Sequence, residues 1–395
     1  VVTFPEFAPP LDPVNVPVQR CPVAREQASH RVLIFRAGAY GDILMASPLL
    51  AALRAAWPDA HLTWMVEAHQ CQAIDAHPAI DELILWNSLF WKKMVRRLDG
   101  VSWATRAIRF RKRLRARAYD TFVSLQPEEW PLLTDHVGAA TRIGIFDAFG
   151  EPQGTVRTHP NRRRFTASFA QDDLPPHRTD QYLLALRPLG VPVAERRMRL
   201  GFTTDDAAVV ARWLAENGVT DTDHLVVLAP RTTWESKCWP EDRFVALARA
   251  LGEREGRRIV LIGSGSERAC VARIAAQLPS PPLVASGNLS FRQMAALIAR
   301  AAVVVSGDTG PMHVAAAVDT PFVALFGPTG PVPLAPIVGR GTVLSHPVPC
   351  GPCYHMHCPN VGDDYHRCLR RLTIEEVLAA TEAALDSSPV GTGAR

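Results

Sequence analysis

The stretch SGDTGPMHV, residues 306–314, brings an acid, a hydroxyl and an imidazole together as Asp308, Thr309 and His313, directly after the apolar run AAVVV. If AAVVV is a strand and PMHVAAAV a helix, Asp308 or Thr309 caps that helix and Pro311 lies in its first turn. The amides of Thr309, Gly310 and Met312 would then face an anion, helped by the positive end of the helix dipole. An ordinary capped strand–helix junction fits the same residues. A second polar stretch, PRTTWESKCWP at 230–240, supplies the hydroxyls of Thr232, Thr233 and Ser236 and one cation, Lys237. A lysine is a point charge suited to phosphate; the plainer alternative is a solvated Lys237, with Trp239 packing on the next helix. A third, GSGSE at 263–267, places Gly263 and Ser264 at a presumed strand end. Neither the GxGxxG nor the GxxxxGK spacing occurs, so no dinucleotide fingerprint or P-loop is present. Three polar loops at strand ends in one half of the chain point to a phosphate-bearing ligand more strongly than any one of them.

The first half offers a single comparable loop, RAGAYGD, in which Gly38 and Gly41 flank Tyr40 and lead to Asp42. Asp42 either caps a helix or acts as a base. With an ordinary pKa of ~3.9 it is ionised at neutral pH and can take a proton from a hydroxyl as that hydroxyl attacks. Near the C-terminus, Cys350, Cys353, Cys358 and Cys368 fall within CGPCYHMHCPNVGDDYHRC. Such thiols suit a tetrahedral structural zinc or iron ion, with His355, His357 and His366 as alternative ligands. The second pair lacks the tight C-x2-C spacing, and a reduced thiol-rich loop accounts for the group at least as readily. A metal there would staple the loop and take no part in catalysis. Cys21, Cys71, Cys238 and Cys270 read as isolated.

The elements that must carry these loops follow from apolar patterning. RVLIF, HLTWMVEA, DELILW and YDTFVSL in the first half, and HLVVLAP, RRIVL, AAVVV and PFVALF in the second, are short apolar runs suited to buried strands. Helical spacing separates many of them: ILMASPLLAALRAAW, interrupted by Pro48, then DQYLLALRPLG, PEDRFVALARALG and SFRQMAALIARA. Ser290 with Gln293, and Thr373 with Glu376, have capping-box spacing. The alternation predicts parallel α/β units, with ligands bound beyond the carboxyl ends of strands. Residues 141–180 read as loops and short elements. Residues 91–118 carry 11 Lys or Arg against one acid, Asp99. That segment is either a solvated helix face or a basic surface for anionic lipid or a phosphorylated acceptor, with Trp91, Trp103 and Phe110 as interfacial anchors.

The chain has 395 residues, 47% of them hydrophobic, and a net charge of +4, enough for two domains and too mild to imply nucleic acid. No apolar run approaches the ~20 residues that span a bilayer. The Pro-rich start lacks the basic head and apolar core of a signal peptide, so a cytoplasmic location is expected. The predicted organisation is a Pro-rich arm (1–29), a first Rossmann-like domain (30–200), a second (201–372) containing the Cys-rich loop 350–368, and a C-terminal helix and tail (373–395).

Taken together and in order, RVLIFRAGAYGDILMASPLLAALRAAWPDAHLTWMV, PRTTWESKCWP, VLIGSGSE, VVVSGDTGPMHVAAAVDTPFVALFGPT and CGPCYHMHCP…CLRRLTIEEV resemble glycosyltransferase family 9, the ADP-heptose:lipopolysaccharide heptosyltransferases. The resemblance implies an α/β GT-B architecture: two Rossmann-like domains facing an interdomain cleft. It implies inverting, metal-independent transfer of heptose or a related sugar from an ADP-sugar donor to a lipopolysaccharide core hydroxyl, with no required cofactor. Asp42 matches the catalytic base, beside Gly41. Lys237 matches the lysine on the donor diphosphate, and Asp308, Thr309 and Gly310 match the donor-binding DTG, followed by His313. Thr232, Thr233, Gly263 and Ser264 fall on the donor side. The implied partners are a nucleotide sugar and a glycolipid at the cytoplasmic face of the inner membrane, contacted peripherally. On the acceptor side Gln126 is retained, but Pro127 replaces a small residue. That departure, with the Cys group and the extra arm, leaves room for another glycan or a protein as acceptor; a non-catalytic sugar-nucleotide-binding protein is a further alternative, against which the presence of both Asp42 and Lys237 argues.

Overall fold

The structure, a computed structural model, describes residues 18–20, 30–96, 100–126, 137–146, 160–170, 173–193 and 195–386. The chain separates into two compact units, Val1–Arg196 and Arg197–Arg395. The predicted arm lies outside the described residues except for Val18–Arg20.

The first unit is built on β1 (Val18–Arg20), β2 (Arg31–Phe35), β3 (His61–Glu67), β4 (Glu82–Trp86), β5 (Thr121–Ser124), β6 (Thr141–Ile145) and β7 (Ala167–Phe169). They form one sheet in the order β1-β4-β3-β2-β5-β6-β7. β1 runs antiparallel on β4, and every other pairing is parallel. Parallel neighbours need crossovers that cover both sheet faces, so the strands must be apolar on both sides. Val32, Leu33, Ile34 and Phe35 are accordingly fully buried. After β2 the chain forms the helix Tyr40–Ala46 and restarts at Pro48 as Pro48–Ala56. Pro48 thus occupies a first turn, where its missing N–H costs nothing.

The second unit contains β8 (His224–Ala229), β9 (Arg257–Leu261), β10 (Leu283–Val284), β11 (Val303–Gly307), β12 (Phe322–Phe326) and β13 (Gly341–Ser345), all parallel, in the order β10-β9-β8-β11-β12-β13. With β1 set aside, both sheets follow the doubly wound order in which the first and fourth strands of a unit lie side by side. Those neighbours are β2 and β5 in the first unit and β8 and β11 in the second. The capping box of Ser290 and Gln293 forms. Thr373 and Glu376 exchange reciprocal bonds of 2.9 and 3.2 Å. The C-terminal helix Ile374–Asp386 buries Val377 and Leu385 in the core of the second unit and is part of it.

The basic segment folds as helices Ser88–Arg96 and Gly100–Ala116. Here one expectation is corrected. Trp91 is fully buried and Phe110 is 3% exposed, and Trp103 packs against the same core. These aromatics hold the helices on the sheet and are not available as interfacial anchors. At the helical spacing of Trp103, Ala107, Phe110 and Leu114, the stripe that faces inward is the apolar one.

Candidate active site

In a doubly wound sheet the loops leaving the two central strands part to opposite sides, which opens a crevice at the carboxyl edge. The chemistry-bearing residues cluster at that point in each unit.

In the first unit, Asp42 lies in the opening turn of the helix after β2, next to Gly41. No side chain caps this helix. The carboxylate of Asp42 is committed elsewhere. Arg36 Nη2 is 2.8 Å from Oδ2, the Tyr182 hydroxyl donates to Oδ1 at 3.0 Å, and Arg178 Nε is 3.9 Å from Oδ1. Both guanidinium groups also lie over the Tyr182 ring, at 5.5 and 6.0 Å from its centroid. Tyr182 is fully buried, Arg178 is 4% exposed, and the Asp42 side chain keeps 23% exposure. Burial alone pushes the Asp42 carboxyl up. Arg36, Arg178 and the Tyr182 hydroxyl together outweigh that and hold it below the usual carboxylate value. Burial raises the Tyr182 phenol far above its ordinary range, so it stays a proton donor. Gln126, just after β5, accepts from the Ala37 amide at 3.2 Å and ties the two central loops together. Pro127 lies outside the described residues.

In the second unit, Lys237 leaves the loop after β8 and Asp308 follows β11. Lys237 Nζ is 2.7 Å from Asp308 Oδ2, and the Thr329 hydroxyl donates to the same oxygen at 2.7 Å. The lysine also sits over the Trp234 ring, 4.3 Å from its centroid. With Lys237 only 13% and Asp308 6% exposed, this is a held cation and not a solvated one. The two loops approach so closely that a Cβ on Gly307 would stand 2.9 Å from Thr232 Cγ2 and 3.0 Å from the Lys237 carbonyl, which is why a glycine ends β11. Thr232 turns its hydroxyl inward to the Trp234 carbonyl at 2.6 Å, while Thr233 is exposed. Trp239 is buried and donates to the Leu372 carbonyl at 3.0 Å.

Thr309 is the N-cap residue of helix Gly310–Ala317, with Pro311 in the first turn and no side-chain cap bond. The Met312 amide is returned to the Thr309 carbonyl at 3.2 Å, so it does not face outward as the spacing suggested. The amides of Thr309 and Gly310 remain at the helix mouth. His313 is buried, 3% exposed, within this helix. Gly263 and Ser264 follow β9. Ser264 opens a capping box with Glu267, and its amide bonds Glu267 Oε2 at 2.6 Å.

Four of the residues at these two sites were not singled out by sequence patterning. Arg36 adjoins the loop after β2, but an arginine at a strand end carries no distinctive signal. Arg178 and Tyr182 lie far along the chain, 140 residues separating Tyr182 from Asp42. Thr329 follows β12, and only its position at a strand end could have flagged it.

Cys350, Cys353, Cys358 and Cys368 line one small cavity with Ser236 and His366. Among the described residues, however, no group of three or more His, Cys, Asp or Glu is placed to hold a metal ion, so of the two readings of these thiols the zinc or iron site is not supported. The Cys-rich segment has a different visible task. It accepts from Ser236 Oγ through the His355 carbonyl at 2.5 Å and from the Ser236 amide through the Met356 carbonyl at 3.1 Å. It also grips Glu235 through Tyr365 and His366, each at 2.7 Å. It therefore buttresses the turn that carries Lys237.

Comparison with known proteins finds one family and one fold. The family model described as glycosyltransferase family 9 (heptosyltransferase) matches residues 107–362. The chain is 30% identical over 276 residues to lipopolysaccharide heptosyltransferase 1 of Pseudomonas aeruginosa, covering 69% of this chain and 71% of that protein. Among solved structures, a family 9 glycosyltransferase from Veillonella parvula superposes with a TM-score of 0.73 at 23% identity, over 92% of this chain and 99% of that one. An Escherichia coli heptosyltransferase solved with ADP superposes with a TM-score of 0.67 at 24% identity, over 90% and 99% respectively.

Proposed function

The chain belongs to glycosyltransferase family 9 and is a glycosyltransferase, and on that premise we propose that it transfers heptose from ADP-heptose to a hydroxyl of the lipopolysaccharide core, inverting the anomeric carbon without a metal ion. The observation that carries the reading is that each unit holds one preorganised charge: in the first a carboxylate oriented by Arg36 and Tyr182, in the second a cation oriented by Asp308 and Trp234.

The second unit binds the donor. Lys237, with the amides at the mouth of the Gly310–Ala317 helix, balances the charge that builds on the diphosphate as the bond from the anomeric carbon to its oxygen breaks. Asp308 and Thr329 position Lys237, while Thr233, Gly263 and Ser264 border the nucleotide. The first unit supplies the base. The acceptor oxygen forms its bond to the anomeric carbon on the face opposite the departing ADP, and its proton passes to Asp42. Because the two arginines and Tyr182 keep Asp42 weakly basic, proton transfer accompanies attack and does not precede it. The acceptor is presented at the cytoplasmic face of the inner membrane, with Gly41 and Gln126 on its side of the reaction.

The test is ADP release coupled to transfer onto purified core glycolipid, with the new glycosidic linkage assigned by NMR. Stoichiometric ADP and a single product of inverted anomeric configuration are expected. A retained configuration, or donor binding without transfer to any core acceptor, overturns the reading.

A further inference from the structure

The stretch Cys350-Gly351-Pro352-Cys353 is left unused by the transfer chemistry. A C-x-x-C spacing sets two thiols close enough along the chain to close into a disulfide, and it is the spacing of thiol-exchange motifs. Cys350, Cys353, Cys358 and Cys368 carry free thiols and line the same cavity. Two of them are engaged: Cys368 packs against the core of the second unit, and Cys358 Sγ accepts from the His366 amide at 3.4 Å. Cys353 is half-buried, whereas Cys350 is exposed, so a reagent in solution meets Cys350 first.

The residues that follow hold the donor lysine from two directions. The amides of Cys353 and Tyr354 both donate to the Pro328 carbonyl at 3.0 Å. The next residue, Thr329, donates its hydroxyl to Asp308, which holds Lys237. From the other side, the carbonyls of His355 and Met356 take the hydroxyl and the amide of Ser236, the neighbour of Lys237.

We propose that Cys350 and Cys353 form a reversible disulfide by exchange with a small disulfide such as oxidised glutathione, and that closing it loosens the buttress of Lys237. The Cys350 thiolate attacks one sulfur of the small disulfide and releases the other half as a thiolate. The Cys353 thiolate then attacks the Cys350 sulfur of the mixed disulfide and releases the second half. The cysteine pair gives up two electrons and two protons, and the small disulfide becomes a pair of thiols. Closing the ring resets the backbone between the two cysteines, and the Cys353 amide that bonds Pro328 lies at its end. The effect on donor binding rests on the reading of Lys237 as the diphosphate ligand; the disulfide itself does not.

The experiment treats the full chain with oxidised glutathione and maps its disulfides by peptide mass spectrometry. Hydrogen exchange at Ser236 and ADP affinity by calorimetry are followed before and after reduction with dithiothreitol. A Cys350–Cys353 bond, faster exchange at the Ser236 amide and ADP binding weakened by about fivefold, the equivalent of one ordinary hydrogen bond, are expected, all reversed by reduction. C353S should instead trap glutathione on Cys350. C350S, altered at an exposed position, should form neither bond and keep its ADP affinity under oxidant. A disulfide mapped to another pair, thiols that stay unreactive until bound zinc or iron is chelated, unchanged exchange at Ser236, or ADP affinity indifferent to oxidation overturns the inference. Mapping and exchange are read without ADP, so a chain that binds no ADP in either state would count against the donor reading alone.

Discussion

Tyr182→Phe removes one hydroxyl from the carboxylate cluster and keeps the ring that packs beside Arg36 and Arg178. The lost bond is 3.0 Å long and is made to an ionised oxygen, a class worth about 1.5 kcal/mol or more. At ~1.36 kcal/mol per pKa unit, the Asp42 carboxyl should rise by about one unit toward its ordinary value. The sign follows from linkage. A carboxyl whose folded pKa is depressed stabilises the fold fully above its unfolded pKa of ~3.9 and loses that stabilisation as pH falls through the folded value. Wild type should therefore exceed Tyr182→Phe in unfolding free energy by about 1.5 kcal/mol at neutral pH, and the gap should narrow below about pH 4. Urea denaturation at pH 7 and near pH 3 reads this directly. Asp42 stays ionised at neutral pH in both proteins, so activity should change through orientation. A comparable loss of alignment in the transition state lowers kcat about tenfold, with KM for the donor unchanged. A stability gap that does not vary with pH, together with a wild-type kcat, would refute the positioning of Asp42 by Tyr182.

Lys237→Met should abolish most transfer and also destabilise the second unit by about 3 kcal/mol, because it strands Asp308 in a buried position. Pairing it with Asp308→Asn should restore much of the stability in urea denaturation but none of the transfer. Gly307→Ala should cost about 1–3 kcal/mol, since its Cβ would meet Thr232 and the Lys237 carbonyl, and donor affinity measured by calorimetry should fall with it. Dialysis against a chelator should leave the initial rate of transfer unchanged; a rate recovered only on adding a divalent ion would displace Lys237 from its charge-balancing role.

The strand–helix rhythm was legible because parallel strands buried on both faces must be continuous apolar runs, as RVLIF, HLVVL and AVVV are. The less apolar peripheral strands were not. β13, with GTVLS largely open to solvent, and the two-residue β10 carry too little apolar pattern to stand out. The loops at the strand ends were legible for the same reason that they are useful: polar residues and glycines stand out between buried segments. The partners that orient Asp42 and Lys237 were not. Arg178, Tyr182 and Thr329 meet their carboxylates only through the fold, and no local spacing encodes a contact across 140 residues. The aromatics of the basic segment misled in the opposite direction. Trp91 and Phe110 have the composition of interfacial anchors, but their periodicity belongs to the face that packs on the sheet.

Asp42→Asn tests the assignment of the base most directly, because it replaces the carboxylate with an amide of the same size. With ADP-heptose and purified core glycolipid, the single-turnover rate of transfer should fall by about 10²–10⁴-fold, while ADP affinity stays at the wild-type value. Transfer near the wild-type rate would contradict the role of Asp42 as the group that takes the acceptor's proton.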